Sequence, residues 1–247
     1  DVDAYNYYGA ELTGLDQFKY GRFEARMKMV SFPGTVSSMF LYYDNSDRLR
    51  SEPWNEIDIE VLGNNVGRWQ SNLITREPDE SETCAKDKSG SCKKVTSESK
   101  HLFGFDATKD FHLYAMIWTP EYISWEIDSV EVRRDYLNET KKQVEFMTET
   151  QSLRFNLWAS ASTAWVGKFT GGEMADGPQT QYIDYVRVYS YDEATKTFKK
   201  EWQDDFTGSE LDPTHWTTGG WVMDLVRLSQ DNVVVEDGFC KMMMTRE

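Results

Sequence analysis

The stretch that decides the fold is Trp54-Asn55-Glu56-Ile57-Asp58-Ile59-Glu60-Val61-Leu62-Gly63, along which acidic and apolar residues alternate. Successive side chains of an extended strand point to opposite faces, so a period of two predicts a β-strand. Its apolar face belongs in a core. Its other face aligns three like charges, which lowers stability unless the charges serve a purpose. The three acids are Glu56, Asp58 and Glu60.

The same alternation recurs along the chain and predicts many short strands. Arg22 to Met29 alternates at every position, and turn-forming clusters such as Asp44-Asn45-Ser46-Asp47 and Gly219-Gly220 separate the strand signals. The one helix signal, Asn138 to Met147, is weak. This pattern predicts an all-β fold, an antiparallel two-sheet β-sandwich or jelly roll. The other predicted strands are Val36 to Tyr43, Trp69 to Thr75, Phe111 to Trp118, Tyr122 to Ile127, Leu153 to Trp158, Gln181 to Tyr189, Lys200 to Phe206, Asn232 to Val235 and Phe239 to Thr245.

The composition limits the partners and the domain count. The 247 residues carry 42 acidic and 27 basic side chains, so the net charge of -15 would repel a nucleic acid or an anionic membrane surface. No apolar run reaches the roughly 18 residues of a membrane span. We therefore expect no nucleic-acid and no membrane partner. The one linker-like stretch, Ser190 to Lys199, leaves too few residues behind it for a second core, so we predict one domain over residues 1–247.

Two of the three cysteines predict a disulfide. Cys84 and Cys92 lie in a polar stretch whose Ser-Gly centre can turn, which favours one disulfide that clips a surface loop. A disulfide implies an oxidising compartment and hence a secreted, extracellular protein. Two free thiols on the loop of a cytosolic protein remain the alternative. The sequence begins without a charged-then-apolar leader, so a signal peptide was either removed or never present. We expect Cys240, in a strand-like segment, to be a buried free thiol.

The spacing of the acids suits a glycosidase. Residues i and i+4 of a strand lie about 13 Å apart at Cα. Side chains that lean toward each other on a curved face can bring the carboxyl groups of Glu56 and Glu60 to about 5 Å, the separation of retaining enzymes. Asp58 between them can hydrogen-bond one partner and keep the two glutamates in different protonation states. The alternative is an amphipathic strand whose acidic face is merely solvated.

Neighbouring segments carry residues that suit a sugar polymer. Gln70 and Asn72 share one face of a strand that follows the acidic one after a turn, and Arg154, Asn156 and Trp158 share one face of another. Trp54 precedes the acids, and Trp165 lies in a predicted loop. Indole planes, amides and carboxylates together match the flat C–H faces and hydroxyl rims of sugar rings.

These segments resemble glycoside hydrolase family 16. The most specific match is Glu56-Ile57-Asp58-Ile59-Glu60, and Trp158-Ala159-Ser160, Thr163 to Gly167 and Tyr182 to Tyr189 resemble later blocks of its lichenase branch. The resemblance implies a jelly roll with a concave substrate cleft and retaining, endo-acting hydrolysis of mixed-linkage 1,3-1,4-β-D-glucan. It also implies that Glu56 is the nucleophile, that Glu60 is the acid/base and that Asp58 assists.

The order of the blocks departs from the family pattern. Trp202 to Phe206, Leu211-Asp212, Trp216 and Glu236 to Phe239 are similar to the segment that normally opens the domain, yet here they close the chain. Residues 202–247 would then be that opening segment. The chain thus resembles the circularly permuted bacterial 1,3-1,4-β-D-glucanases.

The resemblance also implies sugar contacts and a metal. No cofactor is expected in catalysis, but a structural calcium is expected on the convex side, held by Asp184 with carbonyls from Asp205 and Gly238, since calcium prefers oxygen ligands. The changed loop Asp44 to Asp47 leaves the subsite contacts there open. The implied sugar contacts are Tyr42, Trp54, Gln70, Asn72, Arg154, Asn156, Trp158, Trp165 and Trp221.

Three functions remain open at this stage, with a β-glucan as the expected partner of a monomer. The first is the mixed-linkage hydrolase. The second is a non-catalytic carbohydrate-binding jelly roll. The third is a family relative that acts on laminarin or xyloglucan. In the family, enzymes for pure 1,3-glucans usually insert one residue between the Asp and the second Glu, whereas Ile59 alone separates Asp58 from Glu60 here.

Overall fold

The computed structural model describes residues 6–139 and 141–247 and is built almost entirely from strands. Besides the strands, this part of the chain contains one four-residue α-helix, Thr163–Val166, and two single-turn 3-10 helices. The strands are β1 (Tyr7–Gly14), β2 (Gly21–Lys28), β3 (Thr35–Tyr42), β4 (Trp54–Leu62), β5 (Arg68–Arg76), β6 (Val95–Thr96), β7 (Ser99–Leu102), β8 (His112–Trp118), β9 (Tyr122–Ile127), β10 (Val130–Tyr136), β11 (Ser152–Ala159), β12 (Gln179–Asp192), β13 (Thr197–Asp204), β14 (Trp216–Thr218), β15 (Val222–Met223), β16 (Val226–Leu228), β17 (Val233–Glu236) and β18 (Phe239–Arg246).

Most of the strands form two antiparallel ladders, and β1 pairs with a strand of each. β16 runs parallel to β1 and also pairs with β15. The first ladder runs β14-β1-β11-β3-β4-β5-β7, with β6 also paired to β5. The second runs β17-β18-β12-β2-β8-β9-β10, with β13 beside the far part of β12. Leu12 of β1 pairs with Phe155 in the first ladder, whereas Tyr8 pairs with Thr245 of β18. The all-β antiparallel fold predicted from the sequence is confirmed.

The main core lies between the two ladders and fixes the side of β4 that faces solvent. Ile57, Ile59 and Val61 are fully buried in the same cluster as Met116, Trp125 and other side chains of the second ladder. The indole Nε1–H of Trp125 also donates a 3.0 Å hydrogen bond to the carbonyl of Asp58 across this core. The apolar face of β4 is therefore fixed in the interior, and the acidic face must point the other way.

One sequence-based expectation, the weak helix, was wrong. The segment predicted as a weak helix, Asn138 to Met147, forms turns wherever it is described, and Thr140 lies outside the described residues. The buried amide of Gln143 donates to the carbonyls of Leu73 and Val95, which anchors the segment to the sheet. The linker-like stretch Ser190 to Lys199 joins two neighbouring strands, as expected, and forms a hairpin of β12 and β13 with Lys196 at φ +55°.

One central strand, β1, was missed because two glycines interrupt its pattern. Glycine is a poor strand former, so the segment carries little propensity signal. Gly9 is nevertheless required, because a Cβ at this position would lie 2.4 Å from the carbonyl oxygen of Leu157.

No helix within the described residues is long and apolar enough to cross a membrane.

The predicted disulfide is present. Cys84 and Cys92 are bonded, with their Cα atoms 5.6 Å apart, and Cys240 is a buried free thiol, as expected. Arg50 braces the loop, because its guanidinium pairs with Asp79 at 3.0 Å and donates to the carbonyl of Cys92 at 3.1 Å. The disulfide therefore closes a loop that is also fixed to the rest of the protein.

Replacing Cys84 and Cys92 together by alanine should lower the free energy of unfolding by about 2–3 kcal/mol, the loop-closure entropy expected for so short a span. Urea denaturation of the variant measures this difference, and reduction of the wild-type protein should reproduce it. An unchanged denaturation midpoint in both experiments would show that the disulfide does not constrain the unfolded chain.

Candidate active site

A cleft of about 480 Å³ lies over the solvent-facing side of the first ladder. Its floor is formed by alternate residues of adjacent strands, because residues on one face of a sheet recur with a period of two. The cleft is lined by Glu11, Ser38, Phe40, Tyr42, Asp44, Asp47, Arg48, Trp54, Glu56, Asp58, Glu60, Arg154, Asn156, Trp158, Trp221 and Met223.

The three acids of β4 lie in the middle of this floor. β4 pairs with β3 and β5 without a shift in register, so the strand is regular and unbulged. Asp58 is opposite Phe40 and Asn72, and Glu60 is opposite Ser38 and Gln70. All three carboxyl groups thus project into one cleft, as expected from the sequence.

Glu56 is held by the residue two positions before it. The indole Nε1–H of Trp54 donates a 2.6 Å hydrogen bond to Oε2 of Glu56. Burial raises the pKa of Glu56, whereas hydrogen bonds with Trp54 and Asp58 and the charges of Lys94 and Arg154 oppose this rise. Glu56 is thus the acid of the three whose ionised form receives hydrogen bonds and faces cations.

Asp58 is the carboxyl group that is hardest to ionise. Only 4% of the residue is exposed, and burial raises its pKa well above the ordinary value. The charges of Glu56 and Glu60 raise it further, as does a hydrogen bond with Glu56. The raised pKa favours the protonated form of Asp58, whose hydrogen bond to Glu56 lowers the pKa of Glu56.

Glu60 remains protonated at neutral pH. Burial raises its pKa to about 8, the charge of Glu56 adds to the rise, and a 2.8 Å hydrogen bond from Nε2 of Gln70 opposes it. Burial raises the pKa of both glutamates, but their neighbours differ: an indole donor and two cations favour the ionised form of Glu56, whereas the charge of Glu56 disfavours the ionised form of Glu60. One carboxylate and one carboxylic acid side by side can supply a nucleophile and a proton donor at the same pH.

Six of the nine predicted sugar-contact residues line the cleft: Tyr42, Trp54, Arg154, Asn156, Trp158 and Trp221. The other three are not among the lining residues. Gln70 bonds to Glu60, and Oδ1 of Asn72 accepts a 3.1 Å hydrogen bond from the amide of Ser97. Trp165 lies in the helix Thr163–Val166 rather than in a loop and packs against Trp158, with ring centroids 5.9 Å apart.

The sequence analysis missed several lining residues, of which Glu11 is the most buried. It is 2% exposed, burial raises its pKa, and its Oε1 lies 3.4 Å from Nη1 of Arg154. The changed loop also reaches the cleft, because Asp44 pairs with Arg154 and Asp47 accepts a 2.9 Å hydrogen bond from the hydroxyl of Tyr42. The alternation Ala10-Glu11-Leu12 carries a signal for Glu11, but only once β1 is recognised as a strand.

Asp184, one of the residues expected to hold calcium, lies where the neighbour of β12 changes. Ile183 pairs with Cys240 of β18, Val186 pairs with Asp204 of β13, and Asp184 lies at the register shift between them. Oδ2 of Asp184 accepts a 2.6 Å hydrogen bond from Arg26. No cluster of three or more His, Cys, Asp or Glu side chains in residues 6–139 and 141–247 could hold a metal. The calcium stays a prediction.

The raised pKa of Glu60 predicts a pH-dependent cost in stability. Because the folded protein binds this proton more tightly than the unfolded chain, stability falls as pH rises from the ordinary glutamate range toward 8. Glu60→Gln should remove this cost. Its free energy of unfolding at pH 8 should then exceed that of the wild-type protein by more than about 1 kcal/mol, the value of one pKa unit. The difference should shrink toward pH 4 in urea denaturation. A constant difference, or the same trend in the exposed control Glu80→Gln, would contradict the assignment.

Comparison with known proteins identifies relatives of the same architecture. A β-glucanase of Fibrobacter succinogenes is 41% identical over 253 aligned positions, which cover all of this chain and 66% of that protein. A β-glucanase of Acetivibrio thermocellus is 32% identical over 75% of this chain and 47% of its own length. The chain thus spans two thirds or less of the length of these curated relatives.

Solved structures and a family profile lead to the same group. A prokaryotic β-1,3-1,4-glucanase (lichenase) derived from a mouse hindgut metagenome has a TM-score of 0.52 and 26% identity, covering 74% of this chain and 79% of its own. For the Bacillus licheniformis β-glucanase the TM-score is 0.51 and the identity 25%, with 67% and 71% covered. The profile of Glycosyl hydrolases family 16 matches residues 1–187. The chain belongs to glycosyl hydrolase family 16 and has its jelly-roll fold.

Proposed function

We propose that the protein is an endo-acting retaining hydrolase that cleaves mixed-linkage 1,3-1,4-β-D-glucan by double displacement. The observation that carries this proposal is the placement of Glu56 and Glu60 on one face of the regular strand β4 and on the floor of one cleft. The Trp54 indole and two cations favour the ionised form of Glu56, whereas burial and the charge of Glu56 raise the pKa of Glu60 to about 8. The relatives named β-glucanase and the lichenase among the similar structures support the substrate class.

In the first step, the carboxylate of Glu56 attacks the anomeric carbon while Glu60 gives its proton to the departing glycosidic oxygen. The Trp54 indole and protonated Asp58 orient Glu56 through hydrogen bonds. The product of this step is a covalent glycosyl-enzyme, and Glu60 is left ionised.

In the second step, ionised Glu60 takes a proton from water as the water attacks the anomeric carbon. The bond to Glu56 breaks, and the sugar leaves with its original configuration. Gln70 bonds to Glu60 and favours its ionised form, which assists this step. Each carboxyl group thus returns to its starting protonation state.

The cleft suits an internal segment of a polysaccharide. Trp158 and the half-exposed Trp221 offer apolar planes for sugar rings, and Arg154 and Asn156 offer donors to hydroxyl groups. Since the site is an open groove along the sheet, a chain can pass through it and be cut internally.

The alternatives receive less support. A protein that only binds sugar gains nothing from burying three carboxyl groups whose pKa values are all raised. The regular pairing of β4 lacks the extra residue expected of enzymes for pure 1,3-glucans. Laminarin and xyloglucan therefore serve as comparison substrates.

Glu60→Gln should lower activity on barley β-glucan by about 10²–10⁴-fold, the usual contribution of a general acid. The kcat/KM for an aryl glycoside with a good leaving group, which reports the first step alone, should fall much less, because that group departs without a proton. Glu56→Gln should abolish activity on both substrates. Release of reducing ends and of the aryl group measures these losses.

Exposed Glu80→Gln is the matched control and should behave as wild type. NMR should detect β-configured first products from lichenan and none from laminarin or xyloglucan. Near-normal turnover by either site variant, or products of inverted configuration, would refute the mechanism. Cleavage of laminarin in preference to lichenan would refute the substrate.

We also propose that the chain is circularly permuted and secreted. Residues 202–247 complete both ladders through β14 to β18, and the family profile ends before them. Tyr7 pairs with Arg246, so the two ends of the described sheet are adjacent, as a permuted order needs. The Cys84–Cys92 bond supports an oxidising compartment.

A structural calcium held by Asp184 and the carbonyls of Asp205 and Gly238 would join β12, β13 and β18. Calcium should then raise the melting temperature above that measured with a chelator, by an amount that increases with its concentration. Asp184→Ala should abolish the difference, whereas exposed Asp231→Ala should retain it. An equal melting temperature with and without calcium in the wild-type protein would exclude the site.

A further inference from the structure

The structure places a cation on the tryptophan that hydrogen-bonds the candidate nucleophile. Nζ of Lys94 lies 3.8 Å from the ring centroid of Trp54, whose Nε1–H donates to Glu56. We propose that Lys94 is a positioning residue for Glu56: its ammonium fixes the Trp54 indole in the orientation that donates this hydrogen bond. The inference rests on the proposed function, in which Glu56 attacks the sugar.

The position of Lys94 is fixed on both sides along the chain. Two residues before it, Cys92 is 1% exposed, is bonded to Cys84, and donates its amide to Asp79 at 2.9 Å. The amide of Lys93 donates to the carbonyl of Ala85. Directly after Lys94, β6 begins with Val95, which pairs with Thr75. The disulfide and the start of β6 therefore fix the backbone on either side of Lys94, whose ammonium lies on one face of the Trp54 indole.

Tyr42 and Arg76 also contact the Trp54 ring, but neither places a cation as close to it as Lys94 does. The ring of Tyr42 meets Trp54 edge to face, with centroids 5.9 Å apart. The guanidinium carbon of Arg76 lies 5.8 Å from the ring centroid, farther than Lys94. A cation close to an indole face is attracted by the electron density of the ring. Lys94 is thus the closer of these two cations and supplies the stronger attraction.

The charge of Lys94 also acts on Glu56 directly. Lys94 and Arg154 lower the pKa of Glu56 against the effect of burial. The other titratable groups that face Glu56 are Asp58 and Glu60 on β4 and Tyr42 on β3. Arg154 is paired with Glu11 and Asp44, whereas the ammonium of Lys94 lies on the Trp54 indole. Lys94 is therefore the one of these two cations that acts through the indole.

The test uses the indole proton as the reporter. In protein with ¹⁵N-labelled tryptophan, the Nε1–H resonance of Trp54 should titrate with Glu56, because the two groups share a hydrogen bond. Trp54→Phe assigns the resonance. Lys94→Met should raise the titration midpoint by about 0.3–1 pH unit, since it removes one nearby but exposed positive charge.

Exposed Lys93→Met is the matched control, because it removes the same charge one residue away. It should leave the midpoint unchanged, and Lys94→Arg should restore the wild-type midpoint because a guanidinium also binds an indole face. A midpoint that is unchanged in Lys94→Met, or that shifts equally in Lys93→Met, would overturn the inference.

Kinetics separate this inference from the proposed function. In Lys94→Met, the acid limb of kcat/KM on barley β-glucan should move to higher pH, with about a two- to tenfold loss below the midpoint and little loss above it. Wild-type protein that releases no reducing ends would refute the proposed function but not the indole titration. Active wild-type protein with coincident Lys94→Met and Lys93→Met profiles would refute the role of Lys94 alone.

Discussion

The rest of the structure depends on the two faces of β4, of which one packs in the core and the other forms the floor of the cleft. The isoleucine and valine side chains on one face are completely buried, and the indole of Trp125 ties the main chain of Asp58 to the opposite sheet. The strand therefore has no freedom to twist its acids toward bulk water. Since a slip of one residue would exchange the two faces, packing of the core also fixes the register of the chemistry.

Holding three acids together has an electrostatic consequence that defines the site. Each buried carboxyl group opposes the ionisation of the others, and the neighbours of the three acids differ. Trp54 and the cations favour the ionised form of Glu56. Asp58 and Glu60 are buried and lie near negative charges, which disfavours their ionised forms. The arrangement opposes stability at neutral pH, and the closely packed core on the other side of the strand offsets it.

Much of this was predictable from local pattern, and the misses have physical causes. Alternation located β4, and the spacing of Cys84 and Cys92 located the disulfide loop, because these signals lie within a few residues of each other. The family resemblance implied most of the aromatic lining. Glu11 was missed because Gly9 and Gly14 conceal β1, and glycine at the first of these reflects a contact with Leu157 far along the chain. The positions of Asp44, Asp47 and Lys94 depend on partners in other strands, which periodicity cannot supply.

The pairing of Tyr7 with Arg246 has a wider consequence. When the first and last strands are neighbours, a short peptide could close the backbone into a ring without displacing a single strand. The architecture then has no privileged beginning, and any exposed turn is a potential break point. Evolution can therefore rearrange the gene for such a protein while natural selection continues to act on the same spatial neighbours.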